Sequence, residues 1–400
     1  MNIFKKAYCR IYQFVFKVAL PLLPYREPQI LESNDEVLQV LKDKGHKKVL
    51  FVTDKNLRGL GLTEALEKTL SDGGLGVVVY DEVLPNPTIS QIEAGLEVYK
   101  KESCDSIIAL GGGSVMDCAK IIGARSVKPN QPVEKMKGLL KIGKKLPTLV
   151  AIPTTAGTGS ETTLAAVITD DKTHHKYPIN DFNLIPHFAL LDYHLTLGLN
   201  KKITSTTGMD ALTHAVEAFI GGSTTKQTRA AALESVKLIH ENLVKAYDDG
   251  SNAEARQNML RASYLAGVAF TKSYVGYSHA IAHSLGGKYG VPHGLANAII
   301  LPVILKEYGK SAHKKLSKLA IHIGLGSKEN TNEQNANAFI AWIEKLNSHF
   351  EIPSKIEALK REDIEELAKL AAKEGNPLYP VPKLMNAKEL GKVYEKLIKD

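Results

Sequence analysis

The residue types in this chain best suited to metal chemistry are one aspartate and several histidines at helical spacing. Asp210 and His214 lie four residues apart in GMDALTHAVEA, and HAIAHSLGGKYGVPHG contains His279, His283 and His293. Positions four apart share one face of a helix, so each such pair can direct two donor atoms at one ion. A carboxylate with several imidazoles suits Fe(II) or Zn(II). The sequence therefore predicts a divalent metal site, and the alternative is a group of hydrogen-bonded core histidines.

Two glycine-containing turns upstream indicate a nucleotide cofactor beside this metal. In SIIALGGGSVMDCAKIIGA, the apolar run 107–110 is typical of a buried strand, and we expect Ser114 to cap the helix that follows Gly111–Gly113. Free backbone N–H groups at such a helix start favour a phosphate, although a GGGS turn can equally be a plain tight turn. In TLVAIPTTAGTGSE, hydroxyls and glycines follow the apolar run 149–152 in the same way.

The four segments GGGSVMDCAK, IPTTAGTGSE, GMDALTHAVEA and HAIAHSLGGKYGVPHG occur in an order that resembles the iron-containing (group III) alcohol dehydrogenase family. The resemblance runs from about Glu36 to the C-terminus. It implies an α/β N-terminal dinucleotide-binding domain with a parallel sheet and an all-α C-terminal metal-binding domain. We therefore expect an N-terminal amphipathic extension at 1–35, the NAD-binding domain at 36–198 and the helical domain at 199–400.

The resemblance also assigns roles to the metal-site residues. It implies that the metal ligands are Asp210, His214, His279 and His293, and that His283 lies beside the metal without binding it. Imidazole titrates near neutrality, so His283 is the candidate catalytic proton relay. Its alternative role is packing beside the ligands.

The resemblance places the cofactor contacts in the first half of the chain. The implied cofactor-binding residues are Asp54, Asn86, Gly112, Gly113, Ser114, Asp117, Thr154, Thr155, Thr158, Thr163 and Lys176. A carboxylate at Asp54 would accept a hydrogen bond from a ribose 2′-hydroxyl and repel a 2′-phosphate, which favours NAD over NADP. The alternative is that Asp54 is a helix N-cap or turn residue. Asn86 matches a family loop near the substrate.

Aromatic residues before His279 are expected to line the substrate pocket. Phe270, Tyr274 and Tyr277 precede this histidine, and Tyr379 in NPLYPVP could close the pocket from the C-terminal side. A tyrosine at 274 would narrow the cavity and favour short primary alcohols or small aldehydes.

The predicted reaction is hydride transfer between a nicotinamide cofactor and a small alcohol or aldehyde whose oxygen a divalent metal polarises. One alternative within the same fold is a glycerol dehydrogenase-like polyol dehydrogenase or a dehydroquinate synthase-like lyase. GMDALTHAVEA and HGLANAI favour the alcohol dehydrogenase branch. A second alternative, outside this fold family, is a non-redox metal-dependent hydrolase or a binding protein, although a hydrolase would not need two dinucleotide loops.

Composition places the chain among ordinary globular proteins. It has 400 residues, of which 44% are hydrophobic and 24% charged, with a net charge of +8. Lysines are dispersed and often follow acids, as in REDIEELAKLAAKEG, which argues against nucleic-acid binding. The odd number of cysteines, three, matches no zinc or disulfide spacing and favours reduced thiols in the cytoplasm. The resemblance implies a homodimer.

The segment MNIFKKAYCRIYQFVFKVALPLLPYREP mixes aromatic and aliphatic residues with cations. Lys17 interrupts the apolar run and Pro21 and Pro24 end it, so neither a signal peptide nor a stable membrane insertion is expected. The segment is predicted to be an amphipathic helix that packs on its own protein or on a partner subunit. The alternative is weak attachment to an anionic membrane surface.

Overall fold

The computed structural model of the protein describes residues 1–172 and 176–399, and these form two compact units. One unit contains Pro24–Gly198, and the other contains Met1–Leu23 together with the chain from Leu199 onward. The first element of the chain is helix α1 (Ile3–Ala19), which belongs to the second of these units.

The unit at 24–198 alternates strands and helices. Its elements are β1 (Gln29–Leu31), α2 (Asn34–Asp43), β2 (Lys48–Val52), α3 (Lys55–Gly59), α4 (Glu64–Asp72), β3 (Gly76–Tyr80), α5 (Ile89–Lys101), β4 (Ser106–Gly111), α6 (Gly113–Val127), β5 (Gly138–Leu139), β6 (Thr148–Pro153), β7 (Ala165–Thr169), β8 (Lys176–Asn180) and β9 (Phe188–Leu190).

Six of these strands form one parallel sheet in the order β1-β9-β6-β4-β2-β3. Strand β4 lies between β2 and β6, and all six of its residues are buried. Its alternate side chains enter two separate cores, with Ile107 and Ala109 in one and Ile108 and Leu110 in the other. Burial on both faces explains the continuous apolar run. The predicted parallel sheet is confirmed.

A second sheet has the order β5-β8-β7, with β7 and β8 antiparallel. This sheet was not predicted from the sequence. Strand β5 has only two residues, and β8 (KYPIN) contains a proline that weakens any strand signal.

The second unit is built from helices, as predicted for the C-terminal domain. They are α1 with α7 (Lys201–Ile220), α8 (Lys226–Asp248), α9 (Ala253–Ser273), α10 (Tyr277–Tyr289), α11 (His293–Tyr308), α12 (Lys310–His322), α13 (Asn332–His349), α14 (Ile364–Gly375) and α15 (Ala387–Leu397). Side chains of Asn200, Thr225, Asn252, Thr331 and Asn386 cap the starts of α7, α8, α9, α13 and α15. Within the described residues, none of the helices combines the length and apolarity needed to cross a membrane.

The first 35 residues are divided between the units, which differs from the single extension expected from the sequence. Residues 1–23 pack with the helical unit, whereas β1 is an edge strand of the parallel sheet and pairs with β9. The pairing begins with the Gln29 N–H donating to the His187 carbonyl at 3.0 Å. A partner so distant in sequence leaves no local signal in a three-residue strand.

All three cysteines are buried free thiols. Cys118 lies on α6 with no exposed surface, and burial raises its pKa well above the ordinary range of a thiol. Cys118 is therefore a small core residue.

Candidate metal centre and cofactor-binding segments

Three helices of the second unit bring together the four residues expected to bind metal. Helix α7 carries Asp210 and His214, α10 carries His279, and His293 is the first residue of α11. One potential ligand atom from each of the four lies within 4.8 Å of all the others. The first three residues are at most 5% exposed, but the His293 side chain is 35% exposed. Three of the four candidate ligands are therefore buried, and His293 is the one that is partly exposed to solvent.

A close contact between α7 and α11 sets the position of His293. A Cβ at Gly294 would lie 2.4 Å from the Thr206 carbonyl oxygen, a distance that no larger residue could accept without a shift. Glycine therefore lets the start of α11 approach α7. As a result, His293 Nε2 lies 3.5 Å from Asp210 Oδ1.

The polar atoms of this cluster fit a divalent cation. His279 Nε2 is buried and has no hydrogen-bond partner among the described residues, so it is available as a ligand. Burial raises the pKa of Asp210 to about 6, although the nearby His279 and a hydrogen bond from Asn297 partly oppose the shift. A bound cation would satisfy the imidazole nitrogen and favour the carboxylate form.

Glu217 holds the His279 ring, a role that the sequence motifs did not predict. Its Oε2 lies 2.6 Å from His279 Nδ1, and its side chain is 1% exposed. It also accepts hydrogen bonds from the N–H groups of Gly276 (2.7 Å) and Ser278 (2.8 Å). Glu217 follows Asp210 by seven residues on α7, so helical spacing could have placed it on the same face.

We expect Glu217→Gln to weaken metal binding by about 10- to 100-fold, because the hydrogen bond that orients a ligating imidazole also tunes its basicity. Dialysis of the full chain against graded chelator, followed by metal analysis, measures this effect. The control is Glu241→Gln, which changes an exposed carboxylate on α8. Equal metal retention in both variants would show that Glu217 has no role in holding the ligand.

His283 lies beside the cluster and is held by a carboxylate. Its Nδ1 is 2.7 Å from Glu374 Oε1, which also accepts a hydrogen bond of 2.7 Å from the Tyr379 hydroxyl. The His283 ring stacks on His293 with centroids 5.2 Å apart. Since Nδ1 faces Glu374, the other ring nitrogen, Nε2, is the one placed to exchange a proton with a substrate.

The aromatic residues expected around the substrate have different positions. Phe270 stacks on the His214 ring at 4.1 Å, and Tyr274 lies 4.9 Å from Phe16 and 6.4 Å from Tyr379, measured between ring centroids. Tyr277 is fully buried, and its hydroxyl donates to Asn376 Oδ1 at 2.8 Å. The expectation that Tyr277 lines a pocket was therefore wrong. It is a core residue, and its hydroxyl is satisfied by Asn376 and Met385 in the segment that follows α14.

In the other unit, the GGGS turn opens α6 without a side-chain cap. The cap position is Gly112, and Ser114 lies inside the first turn, so the expectation that Ser114 caps the helix was wrong. Glycine allows the helix to begin earlier. Ser114 Oγ instead accepts a hydrogen bond from the Asn86 N–H at 3.2 Å, and Lys176 Nζ donates to Asn86 Oδ1 at 2.7 Å. The uncapped N–H groups at this helix start suit a phosphate.

The threonine loop after β6 lies against this turn. The Thr154 N–H donates to the Gly111 carbonyl at 3.1 Å, which continues the pairing of β4 with β6. A Cβ at Gly113 would lie 3.0 Å from Thr158 Cγ2, and one at Gly112 would lie 3.8 Å from Thr155 Oγ1. The two predicted cofactor loops are therefore neighbours.

Asp117 and Lys120 fasten the threonine loop to α6. The Asp117 carboxylate accepts from Ser160 Oγ at 2.9 Å and from the Val167 N–H at 2.8 Å. The fully buried Lys120 Nζ donates to the carbonyls of Ser160 (2.7 Å), Thr163 (3.1 Å) and Ala165 (2.8 Å). It also lies 2.9 Å from each of the Ser160 and Thr163 hydroxyls. Lys120 was missed, although a single lysine within the apolar CAKIIGA was a signal.

Asp54 follows β2 and caps α3. Its Oδ1 accepts from the N–H groups of Asn56 (2.9 Å) and Leu57 (3.0 Å). Asp54 is therefore a helix N-cap, which was the alternative to a ribose contact. Its second oxygen, Oδ2, takes no part in the cap, so contact with a ribose stays a prediction.

Comparison with known proteins places this architecture in one family. Residues 30–193 match the family model described as "Iron-containing alcohol dehydrogenase", and residues 204–398 match "Fe-containing alcohol dehydrogenase family, C-terminal". The chain is 38% identical over 385 residues to 1,3-propanediol dehydrogenase of Citrobacter freundii, which covers 95% of this chain and 98% of that protein. The chain belongs to the iron-containing alcohol dehydrogenase family.

Other relatives of this alcohol dehydrogenase support the same family assignment. It is 38% identical over 338 residues to the NAD-dependent methanol dehydrogenase of Bacillus methanolicus, which covers 84% of this chain and 88% of that protein. A crystal structure of 1,3-propanediol oxidoreductase superimposes with a TM-score of 0.90 at 35% identity, covering 94% of this chain and 99% of the other. The predictions of the family, the fold and a metal-binding alcohol dehydrogenase that uses a nicotinamide cofactor are confirmed.

Proposed function

We propose that this alcohol dehydrogenase transfers hydride between NAD(H) and a short primary alcohol or small aldehyde, with one divalent cation at the active site. Fe(II) and Zn(II) both suit the donor set Asp210, His214, His279 and His293. The observation that carries the proposal is the approach of four ligand atoms to within 4.8 Å of one another. A cation bound there would polarise the substrate oxygen.

The chain's own residues would orient the ligands and move the proton. Glu217 fixes the His279 ring so that Nε2 faces the cluster. Glu374 fixes His283 through Nδ1. His283 Nε2 can therefore take the hydroxyl proton of an alcohol as it is oxidised, or return a proton to the oxygen of an aldehyde as it is reduced. His283 is therefore the proposed catalytic residue.

The loops of the unit at 24–198 favour binding of a dinucleotide with its phosphates at the start of α6. The uncapped N–H groups would bind the pyrophosphate, and the loop that contains Thr154, Thr155 and Thr158 lies against the same turn. A carboxylate at Asp54 repels a 2′-phosphate, which favours NAD over NADP.

The preference for NAD can be tested without losing the helix cap at position 54. Serine caps helices as well as aspartate does, so Asp54→Ser should remove the charge and keep α3. We expect the ratio of kcat/KM with NADPH to kcat/KM with NADH to rise about tenfold, which corresponds to about 1.4 kcal/mol. The control is Asp72→Ser on an exposed carboxylate of α4. An unchanged ratio in Asp54→Ser would remove Asp54 from cofactor selection.

The preference for short substrates is attributed to Tyr274. This residue has φ of +60°, a conformation that glycine adopts without strain, so Tyr274→Gly opens space at no backbone cost. We expect kcat/KM to rise for longer primary alcohols relative to ethanol. Kinetics over a series of alcohols measure the effect, and Tyr274→Phe is the control that keeps the ring. An unchanged chain-length preference in Tyr274→Gly would contradict this assignment.

The direct test of the reaction is aldehyde-dependent oxidation of NADH by the metal-loaded full chain. Turnover of short aldehydes supports the proposal. Strong preference for glycerol in the oxidative direction would favour the polyol dehydrogenase alternative, and NADH binding without turnover would contradict the proposed substrates. We also propose, from the resemblance, a cytoplasmic homodimer, and sedimentation of the full chain tests the oligomeric state.

A further inference from the structure

Helix α1 presents an apolar surface to solvent. Among the described residues, nine of the sixteen exposed large hydrophobic side chains lie within the first 22 residues. On α1 they include Ile3, Phe4, Tyr8, Ile11, Phe14, Val15 and Val18, with exposed fractions from 58% to 83%. At 100° per residue these seven positions occupy a continuous arc of about 140°, which we call the outer face of α1. Contiguous exposed apolar surface of this kind marks an interaction site.

The opposite face of α1 is fixed to the helical unit. Cys9 and Gln13 are buried there, and Gln13 Nε2 donates to the Tyr379 carbonyl at 2.7 Å. The Arg10 guanidinium donates to the carbonyls of Val381 (2.8 Å) and Pro382 (2.9 Å). These contacts hold the outer face away from the protein interior. The helix is therefore anchored through the face that carries Cys9 and Gln13, while the seven side chains of the outer face remain exposed.

Cations border the outer face on both sides. Lys6 and Lys17 follow one edge in the helical projection, and Lys5 lies beyond the other edge. The first acidic residue of the sequence is Glu27, so residues 1–26 contain five cations and no carboxylate side chain. An apolar face flanked by lysines and carrying aromatic side chains is typical of a helix that lies in the interface of a lipid bilayer.

We propose that the outer face of α1 docks this enzyme peripherally on an anionic lipid surface. Apolar side chains would enter the boundary between headgroups and acyl chains, and the flanking lysines would contact anionic headgroups. The charge of α1 favours an anionic lipid surface over a second copy of the helix. Symmetric pairing of two α1 helices would bring their lysines together, and these like charges would repel each other. Helix α1 also lies outside the residues that match the family models, which begin at residue 30.

Sedimentation of the full chain with vesicles tests the proposal. We expect binding to vesicles of equal parts phosphatidylcholine and phosphatidylserine, weaker binding to pure phosphatidylcholine, and a decrease as salt screens the lysines. Ile11→Ser combined with Val15→Ser should weaken binding to the mixed vesicles by about tenfold or more. Lys6→Gln combined with Lys17→Gln should remove the preference for phosphatidylserine.

The matched control is Leu60→Ser combined with Leu140→Ser, which removes two exposed leucines outside α1 and should leave vesicle binding unchanged. All three double variants should keep the solution activity and thermal stability of the parent, because these side chains contact neither the metal cluster nor the cofactor loops. Absence of binding to the mixed vesicles at low salt would overturn the proposal. Binding of the Ile11/Val15 variant as strong as that of the parent would also overturn it. Dissociation of this variant from a dimer to a monomer in the absence of vesicles would do the same, because the outer face would then be a subunit interface.

Discussion

Replacing His279 by alanine should lower kcat/KM for aldehyde reduction by about 10³-fold, equivalent to about 4 kcal/mol of transition-state stabilisation. His279 is the central member of the cluster, with ring centroids 4.4 Å from His214 and 5.4 Å from His293. Without it, the proposed donor set loses one of four ligands. The buried Glu217 also loses the imidazole that its carboxylate faces. Bound metal and turnover should therefore fall together.

The measurement is steady-state kinetics with metal analysis on the same preparations. His322→Ala is the control, since it removes an exposed imidazole at the end of α12. Circular dichroism of both variants separates the loss of metal from the loss of fold. Wild-type turnover and metal content in a folded His279→Ala protein would contradict the assignment of His279 as a ligand.

Replacing Lys120 by methionine should destabilise the protein by about 3 kcal/mol and weaken NADH binding by about tenfold. Its ammonium group donates to backbone carbonyls on both sides of Thr162, and methionine has the volume of lysine but no donor. Three carbonyl oxygens would then lose a buried donor. Because these carbonyls belong to the loop that carries the proposed cofactor threonines, stability and cofactor affinity should decrease together.

Chemical denaturation and NADH titration of the same variant measure these two effects. Lys100→Met, on the exposed end of α5, is the matched control and should change neither quantity. If Lys120→Met lost stability but bound NADH as the parent does, the loop would have no part in holding the cofactor. Unchanged stability would mean that the hydrogen bonds to these carbonyls contribute little.

The sequence predicted the elements whose signals are local. The apolar run 107–110 and the glycines after it predicted β4 and the turn into α6, because a strand buried on both faces is apolar throughout. The spacing of Asp210 and His214 predicted that both side chains share one face of α7. The choice among the later histidines came from the resemblance to the family, because their spacing alone did not separate the metal ligands from the proton relay.

What the sequence could not predict depends on partners that are distant along the chain. Strand β1 is only three residues long, and its pairing with β9 gives no local pattern. Glu217 appears on α7 as an ordinary acidic residue until α10 places His279 against it. Tyr277 precedes a predicted ligand in sequence, yet its side chain is buried in the core and its hydroxyl donates to Asn376.

The most direct test of the metal-centre proposal is reconstitution of the chelator-stripped full chain. Fe(II) or Zn(II) is added in steps without oxygen, and bound metal and aldehyde-dependent NADH oxidation are measured at each step. We predict that activity rises in proportion to bound metal and saturates at one ion per chain, and that Asp210→Ala abolishes both. Full activity in the metal-free protein, or the same metal binding in Asp210→Ala, would contradict the account.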